Sequence, residues 1–479
     1  MSKKVTFIQQ NDTHGSMDLH HEMFWSSDGP VIHQVGGFAR IASYVKKIKR
    51  QKENVLFFDG GDLFHGTSPL VQSKGEAILK VLQNMPLDGF VPGNWDYAYG
   101  KDKLISLTKQ LPFETIACNL YDENSHETVF ARYMMKELTG LKVGIIGLTY
   151  PYVDQTMNEE FSTGLTFSLG VDEVRESVEK LQKEKVDLIV LLSHMGLPLD
   201  VKVASLVDGI HVILSGHSHD RVAEPIKQGE TLIVQSGSSS SFLGQLEIEV
   251  HLGKVIDYTY ELFPLWKESF EEDEYVKELV SEIIDPFRSH IEEKVGETRT
   301  ILHRMTLNKA PMDQLITDSY RHTLDVDLAF SHGWRYGTPI PKGLISLYDL
   351  HSIIPTNPEL FTLEMEGEQL QKILENNLES VFSPDPFGQK GGYILRSSGL
   401  FMTFKPYNPK GNRIQELFIN GERLNSHKIY KIAGAGGQLF KKNHSMKNYK
   451  GIFAVDVMKD FLKDKKTVAF DEGQTIINV

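Results

Sequence analysis

Apolar runs recur along the first half of the chain, each followed by a stretch with helical periodicity. Val5–Ile8, Val55–Phe58, Gly89–Val91, Lys142–Leu148, Asp187–Leu192 and His211–Leu214 read as strands. The later ones are too continuously apolar to be half exposed, which marks them as strands buried on both faces. Between them, Phe38–Arg50 predicts a helix with Ile41, Val45 and Ile48 on one face. Glu76–Gln83 predicts a second, and Val171–Glu184 a third, capped at Asp172 or the residue before it. Thr231–Gln235, Leu243–Val250 and Lys254–Leu262 follow as consecutive strands, with a hairpin-like break at Leu252-Gly253-Lys254. Helical crossovers first and a meander later predict a mixed sheet system with helices on its outer faces.

The pattern changes after Leu262. Residues 266–296 are charged and helix-like, and read either as an inter-domain connector or as an extra surface helix of the first domain. From Glu297 a second α/β unit begins. Helices are predicted at Met312–Thr323 and Glu368–Leu378, and strands at Leu328–Phe330, Gly399–Phe404, Arg413–Ile419 and Ile429–Ala433. The expected division is therefore 1–265, 266–296 and 297–479, as suits a chain of 479 residues. Ser236–Ser241 resembles a linker in composition, but six residues between strands read better as a flexible loop near a site.

Composition adds exclusions. No apolar run reaches the ~20 residues needed to span a bilayer, and no apolar segment of signal-peptide type follows Lys3 and Lys4, so no membrane association is expected. The single cysteine, Cys118, forms no intrachain disulfide and no thiolate metal site; it reads as a small buried hydrophobe, in keeping with a cytoplasmic location. A net charge of −13 argues against nucleic-acid binding but leaves room for a small anionic substrate held by local cations. Whether the chain has a protein partner stays open.

The candidate chemistry sits where the apolar runs end. Asp12 and His14 follow the first run, and Asp62 follows the second across Gly60 and Gly61. Asn94 follows the third, His194 the fifth, and His217 with His219 the sixth. Open α/β sheets place their ligands at such carboxyl ends. Carboxylate, imidazole and amide without thiolate suit Zn, Mn or Fe. Seven ligands exceed one tetrahedral ion and fit two divalent ions, Mn or Zn, sharing a carboxylate.

These motifs (Asn11-Asp12-Thr13-His14-Gly15, Gly60-Gly61-Asp62, Gly93-Asn94, Ser193-His194-Met195-Gly196, Gly216-His217-Ser218-His219) resemble those of the calcineurin-like metallophosphoesterases. In particular they resemble the 5′-nucleotidase family, together with Gly36–Arg40, Gly391-Gly392 and Asn420-Gly421. The resemblance implies an α/β (α+β) fold: a four-layer α-β-β-α catalytic domain followed by a C-terminal α/β substrate domain. It implies that Asp12, His14, Asp62 and His219 hold one metal, that Asp62, Asn94, His194 and His217 hold the other, and that Asp62 bridges them. The implied activity is hydrolysis of phosphate monoesters, most closely 5′-nucleotidase-like, by a metal-bridging hydroxide.

The chain departs from the family at one motif. Gly-Asn-His-Glu-Phe-Asp becomes Gly93-Asn94-Trp95-Asp96-Tyr97-Ala98, so Trp95 replaces the catalytic His and Ala98 its orienting Asp. The thiosulfohydrolase branch is similar here and at Gly333–Thr338 and Pro384–Gly392. With Trp95 in that position, Arg335 is the candidate cation for the transferred group, and Arg396 the second; His65 reads equally as a site residue or a loop residue. Phe440 matches one ring of the family's base-binding pair. Ile394, with Tyr393 adjacent, stands at the other, which puts nucleoside specificity in question. The alternatives are a thiosulfohydrolase-like sulfur-ester hydrolase and a catalytically silent metal-containing binding protein.

Overall fold

The computed structural model describes residues 2–470 and 475–479. They form two compact units, Met1–Glu22 with His33–Pro286, and Met23–Ile32 with Phe287–Val479. No helix among the described residues is long and apolar enough to cross a membrane.

The first unit is built on two six-stranded sheets. In one, strand Lys3–Gln10 pairs parallel with Val55–Asp59 and antiparallel with Phe242–His251. In the other, Leu188–Ser193 lies parallel between Leu141–Leu148 and Val212–Ser215. Val5, Phe7, Leu56 and Phe58 of the first sheet and Val143, Ile145, Val190 and Leu214 of the second share one core, so the sheets pack face to face. The opposite face meets helices. Gly144, between two inward residues, lies so close to Leu181 of helix Val171–Lys183 that a Cβ there would sit 2.7 Å from it. Helix Phe38–Gln51 buries Ile41, Val45 and Ile48 as its periodicity predicts. The result is the expected α-β-β-α arrangement.

Local details differ from the sequence reading. Helix Val171–Lys183 starts at Gly170 in left-handed conformation with no side-chain cap; Asp172 sits in the first turn and pairs with Arg175. Residues 76–83 form a 3-10 turn, Glu76–Ile78, and a single α-turn, Leu79–Leu82, rather than one helix. The final meander turns at Leu252 and Gly253, both at positive φ, between the partners His251 and Lys254. Within 266–296, helix Glu274–Ile284 is capped by Asp273, whose side chain accepts from Val276 N–H at 3.1 Å. It packs on helix Phe38–Gln51 through Lys46–Asp273 (2.6 Å), while Arg40 pairs with Glu272 (2.9 Å) just before it. It thus belongs to the first unit, and the units divide between Pro286 and Phe287.

In the second unit a five-stranded sheet runs in the order Arg396–Ser398, Leu328–Ser331, Ile429–Ala435, Glu359–Glu366, Asn448–Phe453. Alternate residues of one strand feed opposite cores. Ala329 packs with helices Pro311–Thr323 and Ala454–Lys465; Leu328 and Phe330 pack with helix Gly367–Phe382. Cys118 is buried in the first unit.

Candidate metal centre

The five strand ends of the first unit converge on one buried cluster. Asp12, His14 and His219 form one group able to hold an ion, and Asp62, His194 and His217 another, each with ligand atoms within 4.8 Å of one another. The groups meet at Asp62. Its Oδ2 lies 3.6 Å from His14 Nε2 and 3.4 Å from His194 Nε2, while its Oδ1 accepts from Trp95 N–H at 2.8 Å. Asn94 completes the second group, its Oδ1 lying 3.2 Å from His194 Nε2 and 2.8 Å from His217 Nδ1.

Each ligand is aimed by a further contact. His194 Nδ1 lies 2.6 Å from the Gly60 carbonyl, which fixes the N–H there and turns Nε2 toward the cluster. Asp12 Oδ2 accepts from Asn11 Nδ2 (2.7 Å) and His217 N–H (2.8 Å), leaving Oδ1 to face His219 at 3.2 Å. The serine loop clasps the same motif: Ser236 N–H donates to Asn11 Oδ1, Asn11 Nδ2 donates to the Gly237 carbonyl, and Ser239 N–H donates to the Asp12 carbonyl. Ser236, Ser240 and Ser241 are buried, so the loop predicted as flexible is a packed wall of the site.

The backbone is bent to serve this geometry. Asp12, His14, Asp62, His217 and His219 all have φ between +46° and +73°, a region that costs a non-glycine residue about 1–3 kcal/mol. Gly93 is required by close approach: a Cβ there would stand 2.3 Å from Asp62 Oδ1 and 2.6 Å from His194 Cε1.

Charge and burial pull against each other. Burial pushes the Asp12 carboxyl up, but His219, His194 and His14 outweigh it and hold it well below the usual range. Burial lowers His194, yet Asp62 and Asp12 raise it to about 10, whereas burial prevails at His14, which falls to about 4. His14 Nε2 and His219 Nε2 face each other at 3.2 Å, beside carboxylate oxygens. Converging imidazole nitrogens and carboxylates of this kind fit a pair of divalent cations, with Asp62 positioned between the two ligand groups.

Asp96 was not anticipated as a site residue. Its Oδ2 accepts from Asp62 N–H (2.8 Å) and Gly93 N–H (2.7 Å), and its Oδ1 from Leu63 and Phe64 N–H (both 2.8 Å). Burial and the Asp62 charge push its carboxyl up; four donors oppose this and leave no place for a carboxyl proton. Tyr150, against the His217 ring at 4.3 Å, carries no signal in sequence.

Trp95 is buried beside the ligands, stacked on His65 at 4.5 Å and 18° and edge-on to Phe161. The other predicted residues lie in the second unit. Arg335 and Arg396 sit over the ring of Tyr393 at 5.9 and 5.0 Å. Arg396 is buried, and its guanidinium donates to the Thr306 and Leu307 carbonyls at 2.5 and 2.6 Å and lies 3.7 Å from Asp313. Much of its capacity is thus engaged within the fold. Ile394 is core, and Phe440 packs edge-on against Phe330 while also lining a cavity.

Comparison with known proteins agrees with this geometry. Residues 5–221 match the calcineurin-like phosphoesterase family and residues 292–447 the 5′-nucleotidase C-terminal domain. The chain belongs to this two-domain group of phosphoesterase hydrolases. Among relatives, it is 24% identical to the snake venom 5′-nucleotidase of Naja atra, over 96% of each chain. Two solved structures, both from Thermus thermophilus, share its fold. The sulfate thiohydrolase SoxB has a TM-score of 0.92 at 23% identity, covering 99% of this chain and 96% of that one. The 5′-nucleotidase precursor has a TM-score of 0.88 at 24% identity, covering 100% and 99%.

Proposed function

We propose that this chain is a dimetal hydrolase of small anionic phosphate monoesters, 5′-nucleotidase-like in its choice of substrate. The observation that supports it best is Asp62 Oδ2 between His14 of one ligand group and His194 of the other. Asp12, His14, Asp62 and His219 would hold one ion, and Asp62, Asn94, His194 and His217 the other. Two divalent cations, Mn or Zn by the N/O donor set, would supply Lewis acidity to a bound water and would offset charge on the ester oxygens.

The chain's own residues set the rest. Gly60 holds the His194 tautomer, and Asp96 holds the Asp62 loop. Trp95, where the family has an acid-base His, offers no proton to a leaving group. Aryl esters, whose leaving groups depart as stable anions, should therefore turn over faster than nucleoside 5′-monophosphates, whose alkoxide must take its proton from water. Arg335, carried beside Tyr393 in the substrate domain, is the candidate guanidinium for the ester oxygens. A reducing, cytoplasmic compartment is part of the same reading, on the lone buried Cys118.

A second reading, hydrolysis of a sulfur ester, draws support from Trp95 and the Gly333–Thr338 and Pro384–Gly392 motifs. A hydrolysis panel after reconstitution with Mn²⁺ or Zn²⁺ separates the two. It contains nucleoside 5′-monophosphates, a 2′,3′-cyclic nucleotide, an aryl phosphate and an S-sulfonated cysteine peptide. Turnover of the phosphate esters, aryl fastest, is expected. Turnover of the S-sulfonate alone would replace the first reading by the second.

A further inference from the structure

The second unit contains a further cavity, of about 890 Å³, within the size range of small-molecule sites. It shares no described lining residue with the cavity beside Phe440, and Arg335, Tyr393 and Arg396 are not part of its lining. Its described lining residues all belong to the second unit, including Trp25 and Pro30 from the segment Met23–Ile32.

The floor of this cavity is preformed. His303, which lines it, is only 7% exposed. Met305 N–H donates to His303 Nδ1 at 3.2 Å. Burial, helped by the charge of Arg396, lowers the imidazole to about 4. The ring is therefore neutral near pH 7 and carries its hydrogen on Nε2. That N–H has no acceptor among the described residues. The loop that follows is held in shape by the buried Arg396, which donates to the Thr306 and Leu307 carbonyls at 2.5 and 2.6 Å. The Thr306 hydroxyl closes the same loop on the Lys309 carbonyl.

The rim combines apolar surface with cations. Trp25 meets the His303 ring edge-on, with centroids 6.5 Å apart, yet remains 59% exposed. Leu307, 40% exposed, lines the same space. Two large apolar side chains left uncovered at one cavity offer a seat for the apolar body of a ligand. Arg299 and Lys342 also line it, both exposed and neither in an ion pair among the described residues. Asp28 is the one carboxylate among the described lining residues. The local balance is thus positive in a chain whose net charge is −13.

We infer that this cavity binds a small aromatic carboxylate, its ring on Trp25 and Leu307, its carboxylate on Arg299 and Lys342, and an acceptor oxygen on the His303 N–H. A guanidinium takes both oxygens of one carboxylate, and a flat ring covers an indole face without loss of internal freedom. The site is separate from the metal centre and holds whether or not the chain hydrolyses esters.

The test is calorimetric titration of the metal-loaded full-length chain with 6-hydroxy-2-naphthoate, a flat monoanion with a second oxygen. Saturable 1:1 binding is expected. Trp25→Leu and Arg299→Gln/Lys342→Gln should each weaken it by about tenfold or more, through loss of the aromatic seat and of the charged donors respectively. All three positions are exposed, so both variants should fold as wild type does, which circular dichroism checks. Rising salt should weaken binding, and the uncharged naphthalene-2,6-diol should bind about tenfold or more less tightly. Lys254→Gln, exposed in the first unit, should bind as wild type does. Absence of saturable binding would overturn the inference. So would equal affinity in Trp25→Leu and Arg299→Gln/Lys342→Gln, which would place the probe at the metal centre or in the cavity beside Phe440. Neither result touches the proposed function, which stands or falls on ester turnover.

Discussion

Asp96→Asn tests whether one buried carboxylate holds the metal-ligand loop in shape. In the native chain each Asp96 oxygen accepts two backbone N–H bonds, from Asp62 and Gly93 on one side and from Leu63 and Phe64 on the other. Asparagine keeps one oxygen and turns an NH₂ group toward the two donors at the other. Two bonds to a charged acceptor are lost, each about 1.5–3 kcal/mol, and two buried donors lose their partner. The expected cost is therefore about 3–6 kcal/mol, which for a unit of this size lowers its melting temperature by roughly 5–10 °C. Because Asp62 is one of the donors, its carboxylate should also shift, weakening metal retention by about 10–100-fold. Scanning calorimetry with metal analysis after dialysis measures both effects. A melting temperature within about 2 °C of wild type, with both ions retained, would refute the role of Asp96 as the loop's anchor.

Two further outcomes follow from the second unit. Burial, partly opposed by Asp313, holds His332 down to about 4 from an ordinary 6.5. The unfolded chain thus binds the extra proton between those values, and stability should fall as pH drops from 6.5 to 4, on the order of 1–3 kcal/mol for this group. Burial lowers His303 to about 4 in the same sense. His332→Phe should flatten its share of the slope in urea denaturation across that range, and an unchanged slope would remove His332 from the account. Arg335→Ala should cut ester turnover by about 10²–10³ with both metals retained, as expected for a lost oxyanion donor; an unaltered kcat would remove Arg335 from the mechanism.

The metal centre was legible in sequence because its chemistry is local. Each ligand ends an apolar run, neighbouring parallel strands within each sheet bring their ends side by side, and the face-to-face packing of the two sheets joins the two sets. Trp95 was legible as a substitution within a motif, but not its stacking on His65, which depends on how two loops meet. Asp96 lay in plain view beside Asn94, yet its value rests on four backbone N–H groups contributed by two separate turns. The serine loop illustrates the same limit. Its composition predicts mobility, while tertiary hydrogen bonds to Asn11 and Asp12 fix it in place. Helix Glu274–Ile284 looked equally suited to a connector or a surface, and the Lys46–Asp273 ion pair ties its N-terminus to the first unit. Boundaries failed where tertiary packing replaces a local signal, as at the Gly170 start of helix Val171–Lys183, where no side chain caps the helix.

The central claim is that Asp62 is shared by two ions, and metal stoichiometry tests it most directly. Wild type and Asp62→Ala would be loaded with Mn²⁺ or Zn²⁺, desalted, and their bound metal counted by mass spectrometry alongside circular dichroism to confirm folding. The account predicts two ions per chain in wild type and loss of both from a folded variant. Two ions retained by folded Asp62→Ala, or one ion in wild type under saturating metal, would contradict it.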